Sequence, residues 1–332
     1  MNAATKPQMM NTIQAVNRAL DEAMAADPNV ILLGEDIADK QEGGVVGVTK
    51  GLSTKYGEKR VRTTPIAEQA IIGAAIGAAI VGMRPVAEIM LMNFTTVAMD
   101  MIVNHAAKLR FMSGGQTHVP LTIRTMTGAG FGTGGQHADY LEAWFAHTAG
   151  IKVVAPSSPA DAYGLMLSCI FDDDPCLFIE NMPTYWNPGP APTPGVRIPL
   201  GKANILRQGS DVTVVSYSRE MSDCVAVAER LGKEGINVEL VDLRTIVPLD
   251  MQTILTSAAK TRRVVIVHEA VKSFGVGAEI AARINEELFG HLKAPVGRIG
   301  ARSCPVPFAK PLEMAFMPGQ MEIETAIRAT LK

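Results

Sequence analysis

Residues 68–94, EQAIIGAAIGAAIVGMRPVAEIMLMNF, set an Ala- and Gly-rich apolar run directly before a short β-prone run. Ala70–Gly82 reads as a helix that is apolar all round, and Pro85–Met90 reads as a strand. The uncharged run from Ala70 to Met83 stops short of the ~20 residues that span a bilayer, so a buried helix is expected. Its small residues let backbones approach closely, which suits a subunit interface and a central core helix equally. Working outward, the same alternation continues. Candidate strands are Val30–Leu33, Val119–Arg124, Val153–Ala155 and Cys176–Ile179, separated by amphipathic stretches at Ile13–Ala26, Ala98–Phe111 and Ser158–Ile170. Strands alternating with helices predict an α/β fold built on parallel sheets.

Residues 182–200 are rich in proline, a composition that sustains neither a helix nor a central strand, and they predict a linker. Beyond it the pattern restarts. Strands are expected at Val212–Tyr217, Val238–Leu243, Val264–Val267 and Val296–Ile299, with helices at Met221–Leu231, from Pro248, and at Gly275–Leu288. The expected organisation is therefore two α/β domains, residues 1–181 and 201–332, joined by 182–200.

A chain of 332 residues with 47% hydrophobic and 19% charged residues has enough apolar content for two cores. Its 31 Lys+Arg against 33 Asp+Glu leave a net charge of −2, which gives no basic surface for nucleic acid or an anionic membrane. The first twelve residues, MNAATKPQMMNT, lack the pattern of a secretory signal, so a cytoplasmic location is expected. Cys169, Cys176, Cys224 and Cys304 form no CxxC pair and read as small buried hydrophobes rather than zinc ligands or disulfides.

Gly130–Gly135 fits GxGxxG, but Thr125 to Ala129 separate it from the preceding candidate strand. The next strand offers no carboxylate for a ribose, so the segment reads as a flexible loop. No GxxxxGK[ST], HExxH or GxSxG is present. His137 follows the Gly-rich loop directly, which makes it a candidate for chemistry, although a surface histidine fits the same position. Glu68 stands at the entrance to the apolar helix, where desolvation would raise its pKa and the helix dipole would lower it. Glu35 lies just past strand Val30–Leu33, at the strand end where α/β sites form.

The segments LLGED (32–36), GGVVGVTKGLSTKYG (43–57), RVRTTPIAEQ (60–69), GAAIGAAIVGMRPVAEIM (73–90), MNF (92–94), NHAAKLRFMSGG (104–115), GGQHADY (134–140), KVVAPSSPADAYGL (152–165), FGVGAEIAARI (274–284) and CPVPFAKPLE (304–313) together resemble one family. It is the β subunit of the thiamine-diphosphate-dependent first component of 2-oxo acid and acetoin dehydrogenase complexes. The resemblance runs from about Thr12 to the C-terminus. It implies a thiamine-pyrimidine-binding domain followed by a transketolase-like C-terminal domain, cleavage of a carbon–carbon bond next to a carbonyl, and transfer of the acyl group to lipoamide.

By this resemblance Glu68 shares a proton with the pyrimidine ring of thiamine diphosphate, so that the ring's imine can remove the thiazolium proton. Phe94 would pack on the pyrimidine, Met90 would line the same pocket, and Glu35 would approach the thiazolium side. His137 would face the bound substrate and the incoming lipoyl group. Two departures stand out: QHAD (136–139) replaces the usual QHSQ, and Thr63 stands where relatives carry Asp. The family's GDG motif for Mg²⁺ is absent, which implies that an α subunit supplies that site within an α2β2 assembly docked to a dihydrolipoyl acyltransferase core. CIFDDDP (169–175) lines up with a monovalent-cation loop, implying K⁺ ligands from Leu121, Cys169, Ile170, Asp172 and Asp174; a solvated acidic helix end explains the segment equally well. GGVVGVTKGL looks closer to the acetoin branch than to the pyruvate or branched-chain branches. The rival readings are a nicotinamide-dependent dehydrogenase and a non-catalytic scaffold subunit.

Overall fold

The computed structural model describes residues 8–332. Residues 1–7, the start of the first expected domain and part of the segment on which the secretory reading rests, lie outside the described residues.

In chain order the first domain carries β1 (Met9–Met10), α1 (Thr12–Ala26), β2 (Val30–Glu35), α2 (Leu52–Tyr56), β3 (Val61–Thr64), α3 (Glu68–Ile80), β4 (Arg84–Leu91), α4 (Leu109–Met112), β5 (Thr122–Thr127), α5 (Glu142–Ala146), β6 (Lys152–Val154), α6 (Pro159–Ile170), β7 (Cys176–Asn181) and β8 (Gly189–Pro190). The second carries β9 (Asn204–Arg207), β10 (Val212–Ser216), α7 (Glu220–Gly232), β11 (Val238–Asp242), β12 (Thr245–Val247), α8 (Met251–Thr261), β13 (Val264–Val271), α9 (Val276–Leu288), β14 (Gly297–Ala301), α10 (Lys310–Phe316) and α11 (Gln320–Thr330).

Two main sheets result. One has the order β12-β6-β7-β5-β4-β2-β3, the other β14-β13-β10-β11-β9, and all neighbours are parallel except β12 and β9. The expected α/β class is what the chain adopts. Wholly buried strands such as β2 and β7 explain why their sequences read as apolar runs without alternation. Helix α1 begins in a capping box between Asn11 and Gln14 and buries Ala15, Val16, Ala19, Leu20 and Ala23.

Several elements differ from expectation for identifiable reasons. The strand expected at Val119–Arg124 starts at Thr122, because Pro120 has no N–H to give to a ladder. Arg124 lies in this wholly buried strand, where Glu180 and Glu88 neutralise it. The helix expected at Ala98–Phe111 contains a widened π-helical turn, Met101–Ala106, before α4. That turn brings the Ala107 carbonyl against Gly150, where a Cβ would stand only 1.9 Å from the oxygen. The apolar helix α3 is buried on one face only, through Ile71, Ile72, Ala75, Ile76 and Ala79, while Ala70, Ala74, Gly77 and Ile80 face outward. Of the cysteines, Cys304 is exposed rather than buried.

The division at residues 182–200 does not describe the sheets. β8 within that segment pairs with β1, and β12, from beyond it, pairs antiparallel with β6 and becomes the edge of the first sheet. The largest apolar cluster likewise runs through both halves, joining Tyr140 and Phe145 to Tyr217, Ile246 and Ile254. No helix among the described residues is long and apolar enough to cross a membrane.

Candidate active site

The carboxyl ends of adjacent parallel strands β3, β2, β4 and β5 open on one side of the first sheet. Glu35 ends β2 in register with Thr64 at the end of β3, and a turn through Pro65 leads from there into α3, whose first residue is Glu68. Both glutamates are 9% exposed. Burial pushes the Glu35 carboxyl above the usual carboxylate range, and the nearby charges of Glu68, Asp36 and Glu88 push it the same way. Two carboxylates thus share one poorly solvated region without a basic partner from this chain within ion-pair distance among the described residues. The hydroxyl of Thr64 is buried and likewise without a partner. Buried polar groups need partners, so this strand end is suited to a ligand that brings donors.

On β4 and the turn that follows it, half-buried Met90 and Phe94 pack with Leu91, Met126 and Tyr185. The Phe94 ring meets the His137 ring edge-on, with centroids 5.5 Å apart. Phe94 therefore links the apolar wall to the imidazole. The strand ends bring together Glu35, Met90 and the start of the turn carrying Phe94, with Glu68 beside Glu35 and His137 above Phe94. Below Met90, Arg124 grips both oxygens of Glu180 (2.6 and 2.9 Å), the Tyr185 hydroxyl donates to the same carboxylate (2.7 Å), and Glu88 closes the network. A buried ion set of this kind holds the floor of the site in one geometry. Where Thr63 stands, its hydroxyl accepts the Ala38 N–H (3.1 Å), so the loop after β2 keeps an anchor on β3.

The Gly-rich loop is not free. Its amides at Gly130 and Gly132 point at the carboxylate of Glu313, at 2.6 and 3.0 Å, rather than outward as a phosphate cradle would need. The dinucleotide reading loses its phosphate site on that observation. Asn93 was not singled out by sequence. Its amide donates to the Gly135 carbonyl (3.3 Å) and to Asp139 (2.8 Å), while its oxygen accepts the Asp139 N–H (3.1 Å). Asn93 thereby ties the loop carrying His137 to the residue preceding Phe94; the motif MNF contains it, but nothing in its spacing marks it. Between the domains, beyond this loop, lies a cleft of about 980 Å³ lined by Tyr140, Trp144, Glu269, Phe274, Cys304 and Phe316, among others.

The five residues expected around a monovalent cation lie near one another but are already supplied with protein donors. The Leu121 carbonyl accepts from Cys176, and that of Cys169 from Asp172. Arg84 takes the carbonyls of Ile170 (3.4 Å) and Asp172 (3.0 Å), Lys152 holds the Asp172 carboxylate at 2.5 Å, and Arg110 holds Asp174 at 2.6 Å. Three basic side chains neutralise the carboxylates here, while each carbonyl that accepts a single N–H keeps a second lone pair, so these contacts neither require nor exclude a bound cation.

The transketolase pyrimidine-binding domain family matches residues 8–185, and the transketolase C-terminal domain family matches residues 201–323. The chain is 45% identical to the acetoin:2,6-dichlorophenolindophenol oxidoreductase subunit beta of Cupriavidus necator, with 96% of each chain covered. It is 43% identical to the mitochondrial pyruvate dehydrogenase E1 component subunit beta of Bos taurus, over 96% of this chain and 89% of that one. Among solved structures, a split-gene transketolase described as an inactive beta4 tetramer superposes with a TM-score of 0.78 at 21% identity, covering 97% of this chain and 98% of that one.

Proposed function

The chain belongs to the family of β subunits of acetoin and pyruvate dehydrogenase first components, built from transketolase pyrimidine-binding and C-terminal domains, and from that premise we propose that it forms half of a thiamine-diphosphate-dependent active site. The assembled enzyme would cleave a carbon–carbon bond next to a carbonyl and pass the acyl group to a lipoyl acceptor. The observation that carries this reading is the pair Glu35 and Glu68, nine-tenths buried at the end of β2 and the start of α3 with no basic partner within ion-pair distance among the described residues.

The donor set fits the pyrimidine end of thiamine diphosphate. When bound, that group supplies a nucleophilic carbon able to attack a carbonyl. Glu68 would pass a proton between its carboxylate and a ring nitrogen, and its place in the first turn of α3, directly after the turn from β3, fixes the backbone from which that carboxylate reaches. Phe94 and Met90 form the apolar face against which a flat heterocycle packs and from which water is excluded. Glu35 adds a carboxyl whose raised pKa keeps it a proton donor above the usual carboxylate range.

The diphosphate end must be held elsewhere. This chain has no GDG, and among the described residues no group of three or more His, Cys, Asp or Glu could hold a metal ion. We assign Mg²⁺ and the diphosphate to an α subunit in an α2β2 assembly, with a dihydrolipoyl acyltransferase core as the larger partner and the cytoplasm as the setting. The substrate is a small carbonyl compound, acetoin before pyruvate or a branched-chain 2-oxo acid. The test is a substrate panel on this chain alone and with its α partner: thiamine-diphosphate-dependent turnover only in the mixture, fastest with acetoin, is the expected result. Micromolar Mg²⁺-dependent binding of the cofactor by the isolated chain would overturn the shared site.

His137 ends the Gly-rich loop with its ring edge-on to Phe94, and we assign its chemistry to the later half-reaction. His137→Ala is expected to leave cofactor affinity unchanged and to slow acyl transfer to the lipoyl group by roughly 10²-fold, the lower end for a lost general acid or base. Rapid-mixing measurements of the two half-reactions check this, and an equal loss in both removes His137 from that role.

A further inference from the structure

The loop that carries His137 starts on the first domain, yet its first half is held by the second. The Gly130 N–H donates to Glu313 Oε1 at 2.6 Å, and the Gly132 N–H reaches both carboxylate oxygens, at 3.1 and 3.0 Å. Glu313 is 1% exposed and lies 183 positions along the chain from Gly130. Beside it, Glu269 accepts the Ala129 N–H (2.8 Å) and the Asn181 amide (2.7 Å), and Arg219 donates to the Ala129 carbonyl (2.8 Å). An apolar seam of Ala129, Ala138, Ala301, Val306 and Phe316 seals these contacts.

Glu313 has no ion-pair partner among the described residues within 4.0 Å; its hydrogen-bond donors are the loop amides. A buried carboxylate without a cation is tolerated only where it collects hydrogen bonds, so Glu313 and the loop conformation require each other. The loop pays in backbone geometry for turning these amides inward. Gly130 has φ +129° and Gly132 φ +67°, and at Gly134 a Cβ would lie 2.4 Å from the Phe308 ring. The remaining half of the loop ends at His137, whose N–H donates to the Gly134 carbonyl (3.2 Å) and whose ring meets Phe94.

We propose that Glu313 is a positioning residue: from the second domain it sets the conformation of the Gly128–Gly135 loop and thereby the place of His137 over Phe94. The catalytic consequence rests on the role given to His137 above, whereas the hold on the loop does not. Hydrogen exchange in the assembled protein separates the two. In Glu313→Ala, amides of residues 129–134 are expected to exchange on the order of 10- to 100-fold faster, the range for lost hydrogen bonds to a charged group, while amides of β5 and β13 stay at wild-type rates. Acyl transfer to the lipoyl acceptor should fall about tenfold or more with cofactor affinity within about twofold, since the strand-end residues are untouched. Glu313→Gln keeps one acceptor oxygen and should lie between wild type and Glu313→Ala in both readouts; it also decides the matter if the alanine variant does not fold. Loop exchange at the wild-type rate, equal acceleration throughout both sheets, or a freed loop with unimpaired acyl transfer would each overturn the proposal. If the wild-type assembly showed no thiamine-diphosphate-dependent turnover, the functional reading would fall while loop exchange still reported whether Glu313 holds the loop.

Discussion

Glu68→Gln in the assembled enzyme is expected to slow turnover by roughly 10²–10⁴-fold, the span for lost general acid–base catalysis, with only a modest fall in cofactor affinity. Glutamine keeps the volume and one accepting oxygen of Glu68 but cannot give or take the proton. The alternative is a carboxylate that merely complements the start of α3, where it occupies the first turn. In that case the substitution would cost about 0.3–1 kcal/mol of stability and leave the chemistry alone. Proton exchange on the bound thiamine diphosphate, followed by NMR, distinguishes the two: a wild-type exchange rate in the variant takes Glu68 out of the mechanism. Because Glu68 is one of the charges that raise the Glu35 pKa, the variant should also let Glu35 move back toward the ordinary carboxylate range.

The second large effect concerns pH and the seam between the domains. Glu142 on α5 and Glu220 on α7 are fully buried, and burial pushes each carboxyl up to about 8, with the neighbouring Glu269 adding to both shifts. Glu142 Oε1 accepts from Tyr217 at 2.8 Å, and among the described residues its other oxygen and both oxygens of Glu220 have no hydrogen-bond partner. Arg219 opposes the shift at Glu220, while Asp223 and Glu322 add to it; Tyr140 faces the same chamber. The folded-state pKa lies above the unfolded value of 4.5. Below 4.5 both states hold the proton, and the stability linked to it is fully present. As pH rises toward 8 the unfolded chain ionises while the folded chain keeps its proton, so that stability is progressively lost, by about 1.4 kcal/mol per pH unit for each group. Urea unfolding midpoints of the assembled protein should therefore drop between pH 5 and pH 8. Glu142→Gln should flatten that drop, making the variant more stable than wild type by several kcal/mol at pH 8, on the order of 4, and nearly equal to it at pH 5. A wild-type-to-variant difference that does not change with pH would mean that Glu142 ionises normally in the folded protein.

What could be read in the sequence followed from how local the cause was. The apolar runs of β2, β4 and β7 and the capping of α1 are written within a few neighbouring residues, and so is the placing of Glu68 at the start of α3. Glu35 stood just beyond its expected strand because Gly34 let the ladder continue: a Cβ there would meet that of Glu88 at 2.9 Å. Met90, Phe94 and His137 were named through resemblance, and their spatial neighbourhood comes from strand ends brought side by side by the sheet. The contacts that were not legible are made by backbone or by distant side chains. Glu313 binds amides, which have no sequence signature. Resemblance named the oxygens of residues 169–174 but not Arg84, Arg110 and Lys152, which reach them from three other segments. β12 is three residues long, too short to show a period, and its partner precedes it by most of a domain.

That short strand affects how the protein comes off the ribosome. Until Val247 has emerged, the first sheet ends at β6, whose outer amide and carbonyl groups have no neighbour, and the apolar cluster shared with Tyr217, Ile246 and Ile254 is only half assembled. Such an edge is a template for the strand of another nascent copy. The two domains, separable as sequence families, thus share an edge strand: the first sheet is completed by a piece of the second, and a chain cut at the proline-rich segment would carry an open β edge in place of a finished sheet.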